Sequence, residues 1–274
     1  MRKFQGIMIA SDLDGTFLAS GGKVVSRNVE AIRHFCDEGG LFTIATGRQH
    51  NSLYIDIPGI ETLVNVPIVA VNGMYLYDYQ NGCRVSEVFM DTALAMDMIR
   101  FARAHYPRLG IRASAPKGYL VDGEISFLYE PAQRQDIDKA IWLCPIEQWQ
   151  DEQMHKVVFY GLECEVDALR KDLETVFGHV MEYHKSCATY LEIQKKGVSK
   201  GRTLLQLKAA LEAERGYPIK MYCVGDYGND LAMLRVADVA VCPANAIDEV
   251  KDICDMVLCD HNEGVIADLI ERLS

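Results

Sequence analysis

Ile7-Met8-Ile9-Ala10-Ser11-Asp12-Leu13-Asp14-Gly15-Thr16 is the stretch on which the fold turns. Its first five residues make a short apolar run that stops abruptly at polar ones, the pattern of a buried strand. Asp12 and Asp14 stand two residues apart at the strand's end, where alternate side chains share a face. Gly15 lets the chain turn sharply after them. Two neighbouring carboxylates repel unless a proton or a cation lies between them. An Asp-rich turn ahead of a helix has the same appearance. Composition alone produces the pattern in about one chain of this length in 400, so it needs companions elsewhere in the sequence.

Working outward, Ser26 opens a helix with Val29, Ala31, Ile32 and Phe35 as its apolar stripe, closed by Gly39-Gly40. Apolar runs at 41–45 and 68–71 break at Thr46-Gly47-Arg48 and at Asn72-Gly73. This rhythm is that of a parallel α/β sheet. After Asn72 the character changes. Runs at 74–79 and 85–90 flank Gln80-Asn81-Gly82-Cys83, where Asn-Gly signals a hairpin. The next hundred residues mix helices predicted near 91–105, 132–142 and 165–177 with strands at 119–121, 156–160 and 190–193. From Ser199 the βα rhythm returns: a helix to about 214, a strand at 220–224, a helix from Asn229, a strand at 239–242, a helix near 247–253, a strand at 256–258 and a last helix to Leu273. The expected fold is α/β, a Rossmann-like parallel-sheet core made of 1–83 and 189–274, with an α+β domain, 84–188, inserted into it.

Composition narrows the function. The 274 residues are 49% hydrophobic and 24% charged, enough for a full core, and 39 acidic against 28 basic side chains leave a net charge of −11. Nucleic acid and anionic lipid are held mainly by clustered Lys and Arg, so neither is expected as a partner. Any anionic substrate has to be met by a few local cations or by a metal. No apolar run approaches the ~18 residues that span a bilayer, and the Arg2-Lys3 start is followed only by Ile7 to Ala10 before Asp12 interrupts. A cytoplasmic chain without a signal peptide is expected. The nine Cys are odd in number and none are spaced Cys-x-x-Cys, which argues against a disulfide framework and a structural zinc site.

Ligands of open parallel sheets bind beyond the carboxyl ends of the strands. Four such ends are polar here: Asp12 to Thr16, Thr46-Gly47-Arg48, Lys196 to Gly201 ahead of a helix, and Gly225-Asp226-Tyr227-Gly228-Asn229-Asp230. Asp226 and Asp230 by themselves suit helix capping; beside Asp12 they suit a hard cation such as Mg²⁺. Lys200 at a helix start opposes the helix dipole unless an anion is bound there. Thr46, Gly47 and Arg48 supply a hydroxyl, backbone amides and a guanidinium for phosphate oxygens. Carboxylates, a cation site, a hydroxyl and a lysine together are the parts of phosphoryl transfer through an aspartyl-phosphate.

These motifs, in this order and over nearly the whole chain, resemble the haloacid dehalogenase (HAD) superfamily and, within it, the Cof-type phosphatases with a large C2-type (IIB) cap. The resemblance rests on Asp12-Leu-Asp-Gly-Thr16, Thr46-Gly-Arg48, Asn72-Gly73, Gly197-Val-Ser-Lys-Gly201 and Gly225-Asp-x-x-Asn-Asp230 with Met233-Leu234. It implies a HAD core and a Mg²⁺-dependent phosphatase of small phosphorylated metabolites, sugar phosphates or similar monoesters. Asp12 is then the nucleophile, and Asp14 the group that protonates the leaving alcohol and later activates water. Thr46 and Lys200 hold the phosphoryl group, with Gly47, Arg48 and Asn229 near the phosphate. The Asp12 carboxylate, the Asp14 carbonyl and Asp226 bind Mg²⁺, with Asp230 in its outer shell. The inserted domain resembles the cap that selects the leaving group, with Arg112, Lys117, Tyr119 and Glu124 as polar and aromatic candidates. Cys242-Pro-Ala-Asn-Ala246 stands where many relatives have Gly-Asn-Ala, with Asn245 expected to keep its place. A phosphosugar mutase of the same superfamily uses the same aspartates. A retired enzyme that only senses a phosphorylated ligand is a third reading, against which the second aspartate, Asp14, argues.

Overall fold

A computed structural model describes residues 2–122 and 141–273. The chain divides into two compact units, one made of 1–87 with 199–274 and the other of 88–198.

The first unit is built on five parallel strands in the order Met256–Leu258, Val239–Pro243, Lys220–Val224, Ile7–Ser11, Leu41–Ile44. All four Leu41–Ile44 residues are buried, and so are the last four of Ile7–Ser11, so unbroken apolar runs become strands covered on both faces. Ile68–Ala70 joins beyond Leu41–Ile44 through a parallel bridge from Val69 to Ala45. It then leads antiparallel into Tyr75–Asp78 and Cys83–Glu87. The hairpin turn is where Asn81-Gly82 predicts it, with Asp78 Oδ1 accepting from the Gln80 amide at 2.8 Å. Its second strand ends at Glu87 and does not run on to Met90, so the hairpin stays with this unit.

The strand order reverses at Ile7–Ser11, whose neighbours follow it in the chain on one side and come from the far end of the sequence on the other. Crevices open at the carboxyl ends of strands at such a reversal. The two segments of the unit are tied by Asn28, buried in the helix Ser26–Asp37, which accepts from the Ala267 amide at 3.0 Å in the helix Val265–Arg272. The helix Lys200–Arg215 buries Leu204, Leu207 and Leu211 along one stripe, and Ser199 caps it by accepting from the Arg202 amide at 3.2 Å. Gly201 is obligatory there: a Cβ would stand 2.0 Å from the Ala232 carbonyl oxygen. The helix expected from Asn229 is a 3₁₀ turn, Gly228–Asp230, followed by the short helix Leu231–Leu234.

The second unit carries a six-stranded sheet in the order Ile141–Leu143, Gly118–Val121, Gly110–Ala115, Lys156–Tyr160, Tyr190–Lys195, Met181–Cys187. Pairing is antiparallel except between the first two. The register puts Ile111, Ala113, Val157, Phe159, Leu191 and Ile193 on one face and Ser114, Lys156, Glu192 and Gln194 on the other, all of them buried. Helices Thr92–His105 and Glu163–Phe177 belong to this unit. Because Tyr190–Lys195 is a strand of this sheet, residues 189–198 lie with the inserted unit instead of the core segment 189–274 expected from sequence. Apolar alternation identifies the strand but not its sheet. The helix predicted at 132–142 falls mostly outside the described residues, and its last two, Ile141 and Trp142, are strand. Among the described residues, no helix is long and apolar enough to cross a membrane.

Candidate active site

Four of the polar strand ends singled out in the sequence meet in the first unit. Asp12 leaves the end of Ile7–Ser11 with its amide bonded to the Val224 carbonyl at 2.8 Å, which fixes it beside the loop that begins at Gly225. Lys200, at the start of its helix, is completely buried and donates to Asp12 Oδ1 at 2.5 Å and to Asp230 Oδ1 at 2.7 Å. Asp230 Oδ2 accepts from the backbone amides of Asp226 at 3.0 Å and Tyr227 at 3.1 Å. Asp230 thus caps its turn, as one of its two readings has it, and with its other oxygen meets the lysine. Thr16 Oγ1 donates to Asp226 Oδ1 at 2.7 Å.

Oxygens of Asp12, Asp226 and Asp230 lie within 4.8 Å of one another. Three carboxylates thus face one ammonium in a place largely closed to water. Burial, followed by the charge of Asp230, pushes the Asp12 carboxyl well above the usual carboxylate range against the pull of Lys200. Burial likewise raises Asp226 to about 6, with the Thr16 hydrogen bond opposing and the charge of Asp230 adding. For Lys200 burial works against the charge, and Asp12 and Asp230 outweigh it, so the ammonium is held above its ordinary range. This surplus of buried negative charge is the environment a hard divalent cation neutralises, and an all-oxygen donor set suits Mg²⁺. The donors still open are particular ones. Asp230 has both oxygens engaged, whereas Asp226 Oδ2 faces Gly15, where a Cβ would come within 2.5 Å of it and φ is +79°. Glycine keeps that oxygen clear.

Asp14 stands outside this trio. Its carboxylate is 56% exposed and accepts from Arg48, Nε to Oδ2 at 2.9 Å and Nη2 to Oδ1. The Arg48 Nη1 pairs with Asp56. Arg48, expected beside phosphate oxygens, is thus held between two carboxylates here. Thr46 is buried, and its hydroxyl accepts from the Arg48 amide at 3.1 Å. Gly47 lies against Asn72, whose Oδ1 is 3.0 Å from where a Cβ would be. Asn229 is half-buried in the 3₁₀ turn. Asn245 does reach the site: its Nδ2 donates to the Gly15 carbonyl at 2.8 Å and its Oδ1 accepts from the His261 amide at 3.1 Å.

Sequence reasoning did not find Asp56 or the Thr16 bond to Asp226. Thr16 was visible as part of the first motif, whereas nothing in the sequence marks Asp56, eight residues past Arg48 at the end of the helix His50–Asp56. In the second unit Arg112 lies over the Tyr119 ring at 4.7 Å and Lys117 over the Trp142 ring at 4.9 Å. Glu124 lies outside the described residues.

The sequence profile of the haloacid dehalogenase-like hydrolases matches residues 9–270. The chain is 28% identical to the 5-amino-6-(5-phospho-D-ribitylamino)uracil phosphatase YwtE of Bacillus subtilis, with 97% of each chain covered. It is 26% identical to the pyridoxal phosphate phosphatase YbhA of Escherichia coli, over 96% of this chain and 97% of that one. In fold it is similar to a haloacid dehalogenase-like hydrolase from Bacteroides thetaiotaomicron, with a TM-score of 0.83 at 20% identity over 98% of this chain and all of the other. The chain belongs to the haloacid dehalogenase-like hydrolase family, as a phosphatase of its Cof-type branch.

Proposed function

We propose that the protein is a Mg²⁺-dependent phosphatase of small phosphorylated metabolites, sugar phosphates or similar monoesters, and that it works through an aspartyl-phosphate on Asp12. The observation that carries this reading is the cluster of buried Asp12 and Asp230 with half-buried Asp226, the first two sharing buried Lys200. A single anionic nucleophile has no need of such a surplus of charge, but a nucleophile that must receive an anionic phosphoryl group beside a cation does. The small phosphorylated substrates in the names of the Bacillus and Escherichia relatives support the same class.

Lys200 occupies Asp12 Oδ1, so Oδ2 is the oxygen assigned to attack. The Thr46 hydroxyl, the Gly47 amide, Lys200 and Asn229 are assigned to the phosphoryl oxygens. As the Asp12 oxygen–phosphorus bond forms, the bond to the leaving oxygen breaks. That oxygen keeps the electron pair and takes a proton from the Asp14 carboxyl. Water then attacks phosphorus, yields a proton to the Asp14 carboxylate, and the bond to Asp12 breaks to release inorganic phosphate and restore both aspartates. The Asp12 carboxylate, the Asp14 carbonyl and Asp226 would hold Mg²⁺, with Asp230 behind them. When bound, the ion supplies charge neutralisation for the nucleophile and the phosphoryl group. The second unit is assigned recognition of the leaving group.

The test is release of inorganic phosphate from a panel of sugar phosphates, nucleotides, cofactor phosphates and p-nitrophenyl phosphate, with Mg²⁺ and with EDTA, for the wild type and Asp12→Asn. Metal-dependent release that the variant lacks is expected. Substantial turnover by a folded Asp12→Asn protein excludes the proposed nucleophile.

A further inference from the structure

Arg48 is shared between two carboxylates in different settings. Its Nε and Nη2 grip both oxygens of Asp14, and its Nη1 pairs with Asp56 Oδ2 at the end of the helix His50–Asp56. The Asp14 side chain is 56% exposed and the Asp56 side chain 15%. An ion pair open to water contributes little and opens readily, whereas one shielded from it is screened less. The Asp14 side of Arg48 is therefore the exchangeable one and the Asp56 side the anchor. While Arg48 holds both of its oxygens, the guanidinium, and not a leaving group or an attacking water, sets the direction of the Asp14 carboxylate.

We propose that Asp56 is a positioning residue for the acid/base step. By keeping hold of Arg48 and its charge, it lets Asp14 part from the guanidinium and turn to the reacting atoms. The proposal rests on the acid/base role assigned to Asp14 above. When Asp56 is removed, Asp14 has to carry more of the balance of the Arg48 charge. Its grip then tightens, and every step that needs a freed Asp14 slows. Steps that need no proton from Asp14 keep their rate, which separates this role from general support of the fold.

Phenyl phosphate and p-nitrophenyl phosphate give the readout. Phenolate departs poorly unless protonated, whereas the nitro group spreads the charge so that p-nitrophenolate leaves unaided. The ratio kcat/KM reports phosphoryl transfer to Asp12 and not the later hydrolysis. Asp56→Asn is expected to lower kcat/KM for phenyl phosphate by about fivefold, the size of an exposed ion-pair effect, and to leave p-nitrophenyl phosphate within about twofold. In an Arg48→Gln background the same change is expected to leave the ratio between the two substrates unaltered, because Asp56 acts through Arg48. Asp56→Ser gives the same comparison if the Asn variant folds poorly.

An equal fall on both substrates, or an undiminished bias in the Arg48→Gln background, overturns the proposal. Asp14→Asn in the same assay tells its failure from that of the acid/base reading. If Asp14→Asn shows a strong bias against phenyl phosphate and Asp56→Asn none, only the role of Asp56 falls. If Asp14→Asn shows no bias either, both fall.

Discussion

Each unit buries a lysine against a carboxylate, and the difference between the two settings separates chemistry from architecture. In the second unit Lys156 donates to Glu192 at 3.0 Å across adjacent strands. In the first, Lys200 meets Asp12 and Asp230 with Asp226 close by. A matched pair offsets its own desolvation, and replacing both members by apolar residues is often neutral. An unmatched cluster is stable only with a further cation, and its carboxyl groups are pushed upward in its absence. Charge imbalance, more than burial itself, is what sets the first unit's lysine apart, and it is the feature on which the proposed catalytic role of Lys200 rests.

Removing each lysine breaks this comparison most directly. Lys200→Met leaves Asp12 and Asp230 without their ammonium, so turnover of p-nitrophenyl phosphate should fall by about a hundredfold or more. Stability in EDTA, measured by urea unfolding, should drop by about 3–5 kcal/mol. Lys156→Met takes the ammonium away from the buried Glu192 carboxylate and should cost about 3 kcal/mol in the same measurement. If it abolished turnover of p-nitrophenyl phosphate in a folded protein, the contrast between the two lysines would collapse. The metal gives a comparable effect of opposite sign. At a hundredfold excess over its dissociation constant, Mg²⁺ should stabilise the wild type by about 2.7 kcal/mol and leave Asp226→Asn unmoved.

Smaller changes sharpen the comparison. Gly15→Ala puts a Cβ 2.5 Å from Asp226 Oδ2 at a φ of +79°, and a displaced ligand should lower kcat/KM by about tenfold together with the apparent affinity for Mg²⁺. Lys156→Met combined with Glu192→Leu should fall within about 1 kcal/mol of the wild type. A large loss in that double variant would mean that the second unit's pair has a role beyond balancing itself.

The parts of this site that could be read from sequence share one property: each is written in a short local segment. Ile7 to Ser11 announces its strand by composition, Asp12 and Asp14 by spacing, and Asp226 and Asp230 by their repetition four residues apart. What was out of reach depends on which segments meet. The pairing of Arg48 with Asp14 and Asp56 follows from the approach of a loop and a helix end, and Asp56 looks like any acidic residue on a helix. The Lys156–Glu192 pair needs the register of two strands 36 residues apart. The strand Tyr190–Lys195 shows the same limit at the scale of a domain, since its alternation is visible but its sheet is decided by tertiary pairing. The short 3₁₀ turn at Gly228–Asp230 replaces the helix expected from Asn229. Asp230 there turns its carboxylate back onto the amides of Asp226 and Tyr227, a local alternative to helical hydrogen bonding.

The central claim, that Asp12 carries the phosphoryl group, is tested most directly by trapping it. Asp14→Asn mixed with p-nitrophenyl phosphate and Mg²⁺, quenched in acid and digested, should yield the peptide containing Asp12 heavier by one phosphoryl group. The wild type should show far less of it, and Asp12→Asn none. Phosphoryl label on another residue, or turnover with no labelled intermediate in Asp14→Asn, would contradict the account.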